Sequence, residues 1–396
     1  MLLILCTLFA LDIPVVKNQT YPNTGEVMVF TEDLRFGSDE SDEHFLWPNP
    51  DTNLTVDQVG HIFVADVDGA RILEFDQNGT FLRTIATKGE GPGELFSLES
   101  FHILSDGRAV AYEALRMRPP ATHNFDKSLA FTTRFLPAGP IKFVTHTTPS
   151  LDGGLLIASW LDFDMAKGKQ SRYVGLVDRN FQLIKQLSSE TQGMQMARLL
   201  EPAYLTEFLA ESLAKEFVPR GFGNFDPSGR CYTALTTNYE VQIWNPGGEN
   251  VERRVQRECK PRVTTEAQNR ALLDRIADRY RGVGRMGDLL TENFLERVLA
   301  TAELPPAAKR IHGVVPTEDG HFLVIEHVDF ANGHQKADLY SPQGKLLGKV
   351  ERDRWSFLSP NTSPRMLFRN GFAYTVETDE EGDTRVLRFR YKITKK

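Results

Sequence analysis

Three of the nine histidines in this chain of 396 residues, His102, His146 and His312, fall in short alternating segments that each run into a Gly-containing turn. Imidazoles placed in comparable strands can converge to hold a divalent metal, because the neutral ring nitrogen is a good ligand. Their offsets to the turn glycines Gly107, Gly153 and Gly320 are 5, 7 and 8 residues, so they do not share one register. Strand alternation also turns half of such positions away from a common centre. A second set is more regular. Counting six residues on from Gly60, Gly107, Gly153, Gly229, Gly320 and Gly371 gives Asp66, Glu113, Ser159, Leu235, Glu326 and Glu377, four of them acidic. Asp66, Glu113, Glu326 and Glu377 could ring a common opening and attract a cation or a basic ligand. The plainer expectation is that each accepts hydrogen bonds within its own loop, as Asp66 would from Arg71, since a ring of unpaired carboxylates is costly to desolvate. Trp47, Trp160 and Trp355 lie in or near long segments and could form a platform for peptide or sugar, although packing is the commoner use of such rings. There is no Gly-x-Ser-x-Gly and no Cys-x-x-Cys, and Gly89 to Gly93 leads into a strand rather than a helix, so no catalytic set is identified.

The elements that must position these residues are clearest from Val56 to Glu94. Alternation marks strands at Ile62–Asp66, Arg71–Phe75 and Phe81–Ile85, with a short one before them at Asn53–Val56. The turns between them, Gln58 to His61 and Asp76 to Gly79, carry glycine where a tight hairpin needs positive φ. A single antiparallel meander cannot bury both its faces, so neighbours of the same kind are required. They recur at the six glycines named above, spaced by 47, 46, 76, 91 and 51 residues. The expectation is an all-β fold, a six-bladed β-propeller of four-stranded antiparallel blades over residues 26–393. The sixth copy stops one strand short. Glu26 to Leu34 is a strand without a hairpin partner, and it supplies the missing outer strand of the last blade, closing the ring and covering an edge.

Two insertions, at about 194–217 and 264–303, are helical in pattern. Leu205, Phe208, Leu209, Leu213 and Phe217 keep helical spacing; Thr265 to Gln268 has capping-box form ahead of Leu272, Leu273, Ile276 and Tyr280. Gly282 to Gly287 is expected to break the helix, with a second running from Asp288 to Ala300. The apolar stripes are read as packing faces against the propeller. Loop lengths divide the two faces of the ring. Turns between first and second strands are short, whereas Ala114 to Thr122, Leu161 to Arg172, His327 to Lys336 and both insertions share the other face. Long loops on a rigid scaffold are where binding sites usually sit. Because both insertions flank the fourth blade, a lid over part of one channel mouth is expected.

Net charge is −7, without a basic run, which argues against nucleic acid as a partner. Residues 1–20 open with MLLILCTLFAL, too short to span a bilayer, and read as the remnant of an export signal whose basic start is missing. That places the protein in the periplasm or outside the cell; without a signal it is cytoplasmic. No transmembrane span is expected. A lipid anchor at Cys6 is disfavoured by Leu5, where a small residue belongs. Cys231 and Cys259 fall on non-adjacent elements, so their pairing is left open. Asn18, Asn53, Asn78 and Asn361 stand in Asn-x-Ser/Thr contexts that chance explains.

The run Val64-Ala65-Asp66, Arg71-Ile72, Phe75-Asp76, Gly79, Phe81-Leu82-Arg83 and Gly89-Glu90-Gly91-Pro92-Gly93-Glu94 resembles an NHL repeat of the bacterial six-bladed propeller proteins. The likeness is detailed over about forty residues of the first blade and architectural elsewhere. It implies a ring, often exported, and no single chemistry, because relatives include scaffolds, ligand binders and lyases with a channel metal. The sequence therefore reads as a non-catalytic binding or protein-interaction propeller for an unidentified protein, peptide or small molecule. The alternative is a lyase or hydrolase using a divalent metal in the central channel.

Overall fold

A computed structural model of the chain describes residues 13–19, 21–22, 25–37, 46, 52–115, 118–139, 141, 143–164, 166–217, 221–235, 239–259, 263–282, 284–304, 311–329, 333–352, 357–358, 365–378 and 383–395. Six separate sheets are arranged as six blades. The first blade is Asn53–Val56, Ile62–Asp66, Arg71–Phe75 and Phe81–Ala86, each strand antiparallel to the one before. The second begins at Ser100–Ile103, the third at Phe143–Pro149, the fourth at Gly221–Phe225, the fifth at Gly313–Pro316 and the sixth at Leu367–Arg369, each followed by its meander.

The repeated turn has a local cause. The Asp57 carboxylate accepts hydrogen bonds from the backbone N–H groups of Val59, Gly60 and His61 at 3.0, 2.8 and 2.9 Å, which folds the chain back on itself as an Asx-turn. The glycine that follows must adopt positive φ. All six glycines used to find the repeats do so, from +68° at Gly153 to +97° at Gly60, a conformation other residues adopt at a cost.

Burial shows why the sheets form a ring. Phe63, Ala65 and Ile72 of the first blade pack on Phe101, Ala111 and Phe125 of the second. The second and third share Val110, Tyr112, Leu156 and Trp160. Further cores join third to fourth, fourth to fifth and fifth to sixth. The last closes the circle, with Ile62, Val64 and Leu73 of the first blade on Tyr374, Val376 and Val386 of the sixth. Each core exists only between two blades, so burying an apolar side chain there, at about 1.5–3 kcal/mol apiece, stabilises the ring rather than a single sheet.

The closing strand is Glu26–Phe36, antiparallel to the C-terminal strand Thr384–Lys395 from Glu26 opposite Lys395 to Phe36 opposite Val386. It completes the sixth blade as expected. The chain ahead of it holds a second strand that the residue pattern did not predict. Val15–Asn18, within the stretch read as a signal remnant, runs parallel to Val251–Arg257 as a fifth strand on the outer edge of the fourth blade. Asn18 then bridges to the fifth blade, donating to Gly344 O at 3.0 Å and accepting from Leu346 N–H at 2.9 Å.

The helices are α1 (Pro202–Lys215), α2 (Glu266–Arg281), α3 (Gly284–Leu289) and α4 (Glu292–Thr301). The Thr265–Gln268 capping box forms at the start of α2. Their packing differs from the expected one. Leu205, Phe208, Leu209 and Leu213 of α1 meet Leu272, Leu273 and Ile276 of α2 and Phe294, Leu295 and Val298 of α4 in a core of their own. The two insertions leave opposite flanks of one blade on the same face, so their stripes reach each other and form one shared core. The break expected between Gly282 and Gly287 falls at its start, where α2 ends at Arg281 with Gly282 as its C-cap. Gly287 itself stays helical in α3, its missing Cβ leaving room for Arg281 O, and the next helix begins at Glu292 rather than Asp288.

Candidate functional site

The four acids are each occupied by cations of the protein itself. Asp66 is fully buried and accepts from Arg71 Nε at 2.7 Å. Burial pushes its carboxyl above the usual range, against the pull of Arg71. Glu113 meets Arg134 at 3.0 Å and His123 at 3.3 Å. Glu326 takes Arg257 at 3.2 Å and Lys349 at 3.3 Å, and Glu377 takes Arg352 at 3.4 Å. These are the pairings that neighbouring strands and blades offer to a carboxylate at the end of a second strand.

The histidines divide. His146 Nδ1 lies 2.9 Å from Glu99 Oε1 across the boundary between second and third blades. His102 is close enough to feel both charges; burial first, then His146, lowers its pKa to about 4 against the pull of Glu99. His312 is buried in the fifth blade, where its backbone N–H donates to Ile325 O at 2.8 Å. Among the described residues, no three His, Cys, Asp or Glu side chains come together as a metal site. Trp160 is buried and stacks on Tyr173 at 5.3 Å and 17° within the third blade. Trp47 and Trp355 lie outside the described residues, as do the apolar start of the chain and the acidic run at 39–43. Cys231 and Cys259 are free thiols.

A groove opens where the helices meet the third blade. The strands Leu155–Asp164, Lys169–Asp178 and Leu183–Gly193 are roughly twice as long as those of the first blade and extend beyond the ring on the long-loop face. Lys215 at the end of α1 fastens the helices to this extension by donating to Thr191 O at 2.8 Å. Between them lies a half-open groove with a cavity volume of about 60 Å³. One wall carries Arg172, Glu190 and Gln192, and the other Lys215, Glu216, Arg279 and Tyr280. Glu216 is buried and held by Arg275 at 3.3 Å. Such a lining of both charges with one aromatic ring orients a polar ligand rather than an apolar one.

Sequence reasoning missed a second polar cluster. Asp338, fully buried in the fifth blade, accepts from Tyr21, Tyr239 and Arg257, and Arg257 lies over the Tyr21 ring at 4.4 Å. Burial and the neighbouring Glu326 push the Asp338 carboxyl up, opposed by Arg257. Tyr21 arrives from the N-terminal segment. The only signal in the sequence was an aromatic residue following a short apolar alternation.

A family model described as a 6-bladed beta-propeller (DUF5128) matches residues 15–115. The fold is shared. Among solved structures, a putative exported protein from Bacteroides fragilis NCTC 9343 is 11% identical over 96% of this chain and 99% of its own, with a TM-score of 0.50. A member of the DUF4221 family from Bacteroides vulgatus ATCC 8482 is 7% identical over 95% and 100%, with a TM-score of 0.52. Among curated proteins nothing matches. Among the described residues no helix is long and apolar enough to cross a membrane.

Proposed function

We propose that the chain is an exported propeller that binds a small polar ligand or a short peptide in the groove between α1, α2 and the third blade. The carrying observation is that groove: two insertions build a core of their own and place it against one over-long blade, leaving charged and aromatic side chains facing each other. A purely structural ornament would close that space with apolar contacts, as α1, α2 and α4 do in the core they share. Export is supported by the apolar N-terminus and by the likeness to the Bacteroides fragilis protein, which carries the description putative exported protein. Removal of a leader would fall before Val15, because Val15–Asn18 is a strand of the fold. The first blade's Asp66–Arg71 pair fits the NHL-like reading as blade-building chemistry.

The test is a thermal-shift screen of monosaccharides, sugar acids and short peptides, followed by amide exchange with any stabilising compound. Binding at a hundredfold excess over Kd stabilises by about 2.7 kcal/mol. Protection should appear at 169–193 and in α1 and α2, and Arg279→Ala with Tyr280→Ala should abolish the shift. Protection confined to the short-turn face, or a shift that survives both substitutions, overturns the assignment.

A further inference from the structure

The polar network between the second and third blades is independent of the groove and more ordered than a blade joint needs. Glu99, just ahead of Ser100–Ile103, gathers four donors. Oε1 faces His146 Nδ1 at 2.9 Å and accepts from the Thr147 N–H at 3.2 Å. Oε2 accepts from Ser100 Oγ at 2.8 Å and Thr147 Oγ1 at 2.5 Å. Burial raises the carboxyl's pKa, but His146 and the hydroxyl donors outweigh it and hold the group below its ordinary range. An ionised acceptor at Nδ1 keeps the ring proton there. Nε2 is then the basic nitrogen, and Thr148 Oγ1 lies 3.2 Å from it. The order is orienting carboxylate, imidazole base and hydroxyl, with both spacings within reach of an activated nucleophile. The His146 side chain is 30% exposed, so a reactant can approach it. Among the described residues Glu99 and His102 are titratable groups that face it, and Tyr112 lies near enough to Glu99 to feel its charge.

We propose that Glu99, His146 and Thr148 form an acyl-transfer site that hydrolyses carboxylic esters. Thr148 Oγ attacks the carbonyl carbon while His146 Nε2 takes the hydroxyl proton. The bond from carbon to the leaving oxygen breaks, and the alcohol departs with that proton. Water then attacks the acyl-threonine, gives a proton to His146, and the proton returns to Thr148 Oγ as the acyl–oxygen bond breaks. The balance is ester plus water to acid plus alcohol, without a redox change. Glu99 is a positioning residue that fixes the imidazole tautomer and balances the imidazolium.

The probe is 4-nitrophenyl acetate on the full chain, with nitrophenolate release followed optically and the acid-quenched protein mapped by mass spectrometry. The native protein should carry acetyl on Thr148, and acid-denatured protein should not. Thr148→Val should lose the adduct, and His146→Gln should slow release by about a hundredfold. Thr148→Ser should keep both adduct and turnover, which separates lost chemistry from lost folding. Glu99→Gln should slow release and move the pH–rate profile to lower pH, because the imidazolium loses its counter-charge; a role limited to joining the blades would leave the profile in place. No acetyl on Thr148 in the native protein, or full turnover in folded Thr148→Val, overturns the proposal.

Discussion

Replacing Glu113 by glutamine tests whether the acids at the ends of the second strands are structural. The carboxylate is 7% exposed, accepts from the Phe96 N–H at 2.6 Å and lies 3.0 Å from Arg134 and 3.3 Å from His123. Burial pushes its pKa up, but the His123, Arg134 and Phe96 donors prevail and bring it from 4.5 to about 2. A carboxyl with a lowered folded pKa contributes stability that is fully present above the unfolded value, here pH 4.5, and is lost as pH falls toward 2. At about 1.4 kcal/mol per pH unit, that difference corresponds to a ceiling of about 3 kcal/mol. Arg134 is 48% exposed, and solvent screening of its charge reduces the expected loss to about 2 kcal/mol. Urea unfolding of wild type and Glu113→Gln at pH 7 and pH 3 measures it, with midpoint and slope fitted together. The variant should be less stable at pH 7 and the gap should narrow at pH 3. A gap independent of pH, or one below about 0.5 kcal/mol at pH 7, would refute the reasoning.

Three further outcomes follow from the same structure. Removing residues 1–44 deletes both N-terminal strands, and the product should be insoluble or melt far below the full chain; an unchanged melting curve would reject the closure. Arg257→Met leaves Asp338 buried without its cation, an expected loss of about 3–5 kcal/mol, measured by urea unfolding at pH 7; less than about 1 kcal/mol would mean that the tyrosines suffice. Leu273→Ala, in the helical core, should cost about 2–5 kcal/mol and speed amide exchange in α1, α2 and α4 while the blades stay protected. Faster exchange throughout would show instead that helices and ring unfold as one.

The ring was legible because its causes are local. A glycine at positive φ recurs wherever the first strand of a blade turns back, so Gly60 and its five counterparts could be counted. The strand Glu26–Phe36 was legible by subtraction, since the last blade lacked one. Contacts between distant segments were not. The α1 stripe and the α2 and α4 stripes have the right spacing for any apolar partner, and nothing in their periodicity says that they face each other. Val15–Asn18 is too short to stand out, and Tyr21 acquires its role only when Arg257 and Asp338 arrive from other blades. His146 drew notice as a possible ligand, but its partner Glu99 lies in another blade, where strand spacing gives no pairing.

The N-terminal strands also set the order in which the molecule can be finished. Val15–Asn18 waits for a partner in the fourth blade, and Glu26–Phe36 pairs with Thr384–Lys395, nearly the whole chain away. During synthesis Val15–Asn18 remains unpaired until the fourth blade emerges and Glu26–Phe36 until the last residues do, the slow, aggregation-exposed situation that distant pairing creates. A chain threaded across a membrane N-terminus first would meet the same delay on the far side. Its earliest segment would need shelter there until its latest one arrived.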